Sequence, residues 1–78
     1  MAEKTTLDQI KPGGKAKIIA INGERDIKKR ITEMGLTRGS VIEVERVAPL
    51  GDPLDIKVRG YRLSLRKEEA ASIDVETA

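Results

Sequence analysis

Leu54-Asp55-Ile56-Lys57-Val58-Arg59-Gly60-Tyr61-Arg62-Leu63-Ser64-Leu65-Arg66 alternates with a period of two on either side of one glycine. Leu54, Ile56 and Val58 fall on one face, and Asp55, Lys57 and Arg59 on the other. After Gly60, Tyr61, Leu63 and Leu65 restore the apolar face, and Arg62, Ser64 and Arg66 the polar one. Successive side chains of a strand point to opposite faces, so the stretch reads as two half-buried strands, 54–59 and 61–66, with the apolar sets turned inward. Arg59-Gly60 is short enough for a two-residue hairpin turn and places glycine where positive φ is needed.

The neighbouring segments extend the same pattern. Pro49-Leu50-Gly51-Asp52-Pro53 precedes the hairpin, and neither proline can continue a central strand, so it is a turn. Before it, Val41 to Ala48 reads as a third strand of a meander. After the hairpin, Lys67 to Ser72 suits a helical turn and Ile73 to Glu76 a short closing strand. Upstream of Gly39 the period changes to 3.6. Ile27, Ile31 and Met34 recur at i, i+4 and i+7 and mark one helix, about Glu24 to Met34. Gly35 supplies a left-handed residue to close that helix, and Leu36 can pack back on its last turn. Lys15 to Ile21 is a further strand, set off by Lys11-Pro12-Gly13-Gly14. Thr6 to Ile10 is a short turn that tucks Leu7 and Ile10 against the body. The expected fold is mainly β with one helix: about five strands in a small closed or nearly closed barrel, which would leave no sheet edge exposed.

Composition narrows the function. The 78 residues make one domain, without room for a second core. Charged residues are 36% of the chain, both signs are mixed, and the net charge is +2. Such mixing describes a solvated surface better than a patch aimed at nucleic acid. Tyr61 is the only aromatic residue, which leaves little for base stacking and weighs against a nucleic-acid module of the translation-factor kind. With no cysteine or histidine there is no disulfide, no nucleophile–histidine pair, and none of the usual zinc, iron or copper ligands beyond carboxylates, carbonyls and two methionines. No Gly-x-x-x-x-Gly-Lys-Ser/Thr phosphate loop occurs. No segment reaches the roughly 20 apolar residues that span a bilayer, and Met1 to Gln9 lacks the apolar run of a signal peptide. These features together lead to the expectation of a non-enzymatic binding module in the cytoplasm.

Candidate contact residues follow from the same reading. Leu50 at the tip of the Pro49–Pro53 turn should be exposed, and the flanking prolines lower the entropy lost when such a loop is ordered by a partner. Met34, at the helix end, is either core or the lining of an apolar groove that a flexible thioether can fit to a partner. Lys57, Arg59, Arg62 and Arg66 point outward, as a solvated face or as a basic surface for an acidic partner. Glu24 and Asp26 are the best local carboxylate pair for a metal, but the helix dipole alone accounts for acids in a first turn. Oxygen ligands of this kind would hold Fe²⁺ weakly or transiently, so no resident cofactor is expected.

Several segments taken together resemble the FeoA family of bacterial ferrous-iron uptake. They are Lys11-Pro12-Gly13-Gly14-Lys15, the run Ile31 to Gly39, Ala48-Pro49-Leu50-Gly51-Asp52-Pro53, and Gly60 to Ala70 with its arginine-lysine-glutamate-glutamate-alanine ending. The resemblance covers about residues 7–75 and makes 1–78 a single FeoA-like domain. It implies an SH3-like barrel without catalytic activity that binds and modulates FeoB, the membrane iron transporter with a cytosolic GTPase domain. The fold is also similar to the C-terminal domain of iron-dependent repressors, in which polar side chains can reach a metal held by the main body. The competing reading is therefore a metalloregulator-like domain that binds or senses a transition metal, with Glu24 and Asp26 as the candidates.

Overall fold

The computed structural model describes residues 3–77. Six strands form one sheet: β1 (Lys4–Thr6), β2 (Lys15–Ile21), β3 (Val41–Val47), β4 (Leu54–Val58), β5 (Tyr61–Leu65) and β6 (Ile73–Thr77). Two helices accompany them, α1 (Arg25–Glu33) and the short α2 (Lys67–Ala71), with a 3-10 turn at Leu7–Gln9. The sheet order is β1-β6-β2-β3-β4-β5, and the pairs are antiparallel.

The mainly β architecture stands, with two corrections. The sheet has six strands rather than about five, because Lys4–Thr6 pairs with β6. Three polar residues with no apolar alternation carry no strand signal of their own, and a partner strand some seventy residues away makes them one. The hydrogen-bonded ladder also does not close among the described residues, and β1 and β5 remain its two edges. No helix among the described residues is long and apolar enough to cross a membrane.

The inward sets of the meander build the core. Leu54, Ile56, Val58 and Leu65 are buried together with Ile42 and Val44 of β3, Ala16 and Ile18 of β2, and Ile73 and Val75 of β6. Helix α1 covers this layer with Ile31, which is fully buried, while Ile27 and Met34 are half-buried against the same cluster. Its end is a Schellman motif. The Gly35 N–H donates to the Thr32 carbonyl at 3.0 Å and the Leu36 N–H to the Ile31 carbonyl at 3.4 Å, with Gly35 at φ 90°. Leu36 is then delivered fully buried beneath the helix. A Cβ there would also lie 2.6 Å from the Tyr61 hydroxyl, so any other residue would have to push that side-chain tip aside.

One carboxylate ties the two helices together. Glu69 is only 3% exposed. Its Oε1 accepts the Arg66 N–H at 2.9 Å, one half of a capping box, and its Oε2 accepts Arg30 Nη1 at 3.2 Å. Both oxygens are thus satisfied, the condition under which a buried carboxylate is tolerated.

Candidate partner-binding surface

The two ends of β4 present four of the residues singled out above, Pro49, Leu50, Pro53 and Arg59. At one end, the β3–β4 loop runs through Ala48, Pro49, Leu50, Gly51, Asp52 and Pro53. Leu50 is 91% exposed, the most exposed large apolar residue of the described chain, and Pro49 and Pro53 flank it at the surface. The loop is closed across its base by the Ala48 N–H to the Pro53 carbonyl at 3.1 Å, and within it by the Gly51 N–H to the Ala48 carbonyl at 2.7 Å. A further tie comes from outside the loop, where Asp52 Oδ1 accepts the Lys67 N–H at 3.1 Å. That N–H opens α2, so Asp52 satisfies a helix-end donor while pinning the loop to the body. The role of Asp52 was not visible in the sequence. The cue was an acid fifteen residues before a helix start, and only the fold makes the two neighbours.

At the other end, Arg59 and Gly60 form the β4–β5 turn with φ 49° and φ 85°. Both central residues are left-handed, the type I′ geometry whose twist matches the strands. Arg59 is therefore a turn residue rather than a strand residue. It occupies a conformation that a non-glycine side chain adopts at a cost of about 1–2 kcal/mol. Arg66 is likewise not a strand residue: it is the extended N-cap of α2.

The remaining predicted contacts are spread along β5 and its neighbour. Arg62 lies mid-strand, exposed, with Nε 3.0 Å from Glu45 Oε1 on β3. Lys57 stands directly across from it. The outer row runs Lys15, Glu43, Lys57, Arg62 from β2 to β5, so a carboxylate interrupts the cations on the broad face. In that row no acid follows beyond Lys57, while in the next Asp55 of β4 faces Ser64 of β5. The basic character thus collects at the β5 border, from Arg59 through Arg62 to Arg66 and Lys67.

Tyr61 was expected to point inward with Leu63 and Leu65, but it is 39% exposed. It sits on the inner face of an edge strand, where the sheet no longer covers it. Its hydroxyl donates to the Met34 carbonyl at 3.1 Å. An amphipathic ring suits that border, with its body on the core and its polar tip outward. Leu63 is only half-buried, so Tyr61 and Leu63 leave the inside of β5 partly uncovered.

Glu24 is the N-cap of α1 and Asp26 lies in its first turn, both exposed. Among the described residues no three Asp, Glu, His or Cys side chains converge to hold a metal ion.

Comparison with known proteins agrees with this architecture. The FeoA domain model matches residues 5–77. A fusion of Fe(2+) transport protein A with the Fe(2+) transporter FeoB from Porphyromonas gingivalis is 41% identical over 70 residues, 90% of this chain. The chain spans 8% of the length of that relative. Among solved structures, a FeoA-like protein from Clostridium acetobutylicum superposes with a TM-score of 0.89 at 42% identity, covering 99% of this chain and 90% of that one. FeoA from Stenotrophomonas maltophilia, a prokaryotic SH3 domain protein solved with zinc, gives a TM-score of 0.79 at 27% identity over 91% of this chain and 88% of its own.

Proposed function

The chain belongs to the FeoA family of ferrous-iron transport, and from that premise we propose that it is a non-catalytic accessory module that binds the cytosolic part of FeoB and modulates it. The observation that carries this reading is the braced, exposed Leu50. A lone exposed leucine is ordinary on a protein surface, but Leu50, 91% exposed, is held on a loop tied at three points, so it is presented in a fixed position. Because the tip is already ordered, little conformational entropy is lost when it docks. The fusion of the equivalent module to FeoB in Porphyromonas gingivalis supports the choice of partner, since two chains joined in one organism work side by side.

The test is binding of the purified chain to the cytosolic portion of the transporter. Burying a leucine is worth about 1.5–3 kcal/mol, so Leu50→Asp should weaken binding at least tenfold while the melting temperature stays put. Ile31→Asp is the contrasting variant. It places a charge on the buried face of α1 and should unfold the domain. Wild-type affinity in a folded Leu50→Asp chain would remove the tip from the interface.

A metal-sensing role is the second reading, favoured by the zinc bound to the Stenotrophomonas maltophilia relative. Here the donor set is oxygen and thioether alone. Anaerobic titration with Fe²⁺ should therefore give a dissociation constant no tighter than on the order of micromolar. A stoichiometric submicromolar site would make sensing the better account.

A further inference from the structure

The β5 border of the sheet is an open hydrogen-bonding edge. A two-residue type I′ turn makes Val58 and Tyr61 a hydrogen-bonded pair, and such pairs alternate along an antiparallel ladder. Tyr61, Leu63 and Leu65 therefore direct their N–H and C=O groups to β4. Arg62 and Ser64 direct theirs away from the sheet. Both residues are exposed, and among the described residues no other backbone group pairs with them. Edges of this kind template a further strand unless something blunts them. β5 carries no proline and no bulge against β4, and its register is unbroken over its five residues.

The side chains around the edge define what would fit it. On the outer face of β5 stands Arg62, with Arg59 in the turn before the strand and Arg66 at the helix cap after it, and β5 itself has no acid. Arg62 keeps 78% of its side chain exposed despite its contact with Glu45, so it is free to take a second carboxylate. On the inner face, Tyr61 and Leu63 are partly uncovered. A strand laid along β5 would meet these two faces alternately. A second copy of this chain is a poor occupant, because its own β5 would set Arg62 against Ser64 or against another arginine and bring no acid to either.

We infer that β5 receives an extended segment of the partner protein by strand addition, a segment in which acidic residues facing the arginines alternate with apolar residues facing Tyr61 and Leu63. Backbone hydrogen bonds to Arg62 and Ser64 supply the pairing, and the alternation fixes the register. The Leu65 end of β5 leads through Arg66 and Lys67 to the loop that holds Leu50, so the segment and the tip belong to one continuous surface. The inference rests on FeoB being the partner and names how it is gripped.

The experiment uses the full chain and the transporter's cytosolic portion as the probe. Ser64→Pro removes an N–H that points to solvent, a place where an edge strand tolerates proline, and should weaken binding roughly tenfold or more. Ser64→Ala keeps that N–H, loses only the hydroxyl contact to Asp55 at 2.7 Å, and should bind as wild type. Arg62→Glu should weaken binding by about fivefold or more, and the wild-type affinity should fall with added salt. Amide exchange supplies a reading that does not depend on any variant folding. In the free chain Arg62 and Ser64 exchange fast and Leu63 slowly; in the complex all three are slow. Binding by wild type with Arg62 and Ser64 still exchanging fast would overturn strand addition alone and leave the partnership intact. Failure of wild type to bind at all would overturn the partnership and this inference with it. Protection of the same amides in a concentration-dependent dimer without the probe would replace the acidic partner with a second copy.

Discussion

The two ends of β4 solve opposite problems. At the Leu54 end, a six-residue loop from Ala48 to Pro53 holds an apolar side chain in water, and it does so with prolines, two loop hydrogen bonds and the Asp52 carboxylate on the Lys67 N–H. At the Val58 end, two residues reverse the chain with almost no side-chain help, and the backbone itself takes the left-handed conformation at Arg59 and Gly60. The first end owes its rigidity to contacts that come from elsewhere in the chain. The second owes it to local dihedral geometry. A loop of the first kind can change its tip residue freely as long as its ties remain, whereas a turn of the second kind is sensitive to each residue it contains.

That contrast can be broken or sharpened by substitution. The largest effect is expected at Gly60→Val, which places a β-branched residue at φ 85°. The cost should be about 2 kcal/mol or slightly more, read as a lower midpoint in urea with an unchanged slope. A wild-type midpoint would mean that the turn is not left-handed in solution. Next comes Asp52→Ala, which leaves the first N–H of α2 without its carboxylate. Losing a cap of this sort costs about 1 kcal/mol, and exchange of the Lys67 amide should speed up in step with it. Should stability fall without any change at Lys67, Asp52 would be acting through some other contact.

A smaller effect of opposite sign is expected at Arg59→Asn. Asparagine tolerates the left-handed region better than arginine, so the variant should gain about 0.5 kcal/mol, or roughly 2–4 °C in melting temperature for a domain this size. A loss would show that the Arg59 side chain contributes contacts that outweigh its backbone strain. Leu50→Asp closes the series: its effect on stability should stay within about 0.5 kcal/mol, even though it should weaken binding at least tenfold. A large drop in melting temperature would mean that Leu50 packs on the body in solution.

The charged face makes the same point about local and distant causes. Outward arginines at 59, 62 and 66 look equivalent when strands are read residue by residue, and the fold separates them into a turn, a strand and a helix cap. Glu43 of β3 stands across from Lys57 fourteen positions on, and Glu45, where the β3 register slips, reaches Arg62 seventeen positions on. An exposed pair such as Arg62–Glu45 contributes little to stability, so its interest lies in placement.

Local chemistry alone determined much of this protein. Period-two alternation marked β3, β4 and β5, a 3.6-residue period marked α1, and Gly35 and Gly60 marked the left-handed points where α1 ends and the β4–β5 hairpin turns. Those features follow from the geometry of a few consecutive residues, which is why they were legible. The tertiary structure decided the rest. It recruited Lys4–Thr6 as β1, left β5 at an open edge, lifted Tyr61 half out of the core, set Asp52 on the start of α2 and buried Glu69 between the helices. Each of these depends on a pairing between distant segments. Hydrophobic period says which face of a strand is inward, but not which strand lies beside it or whether any strand lies there at all.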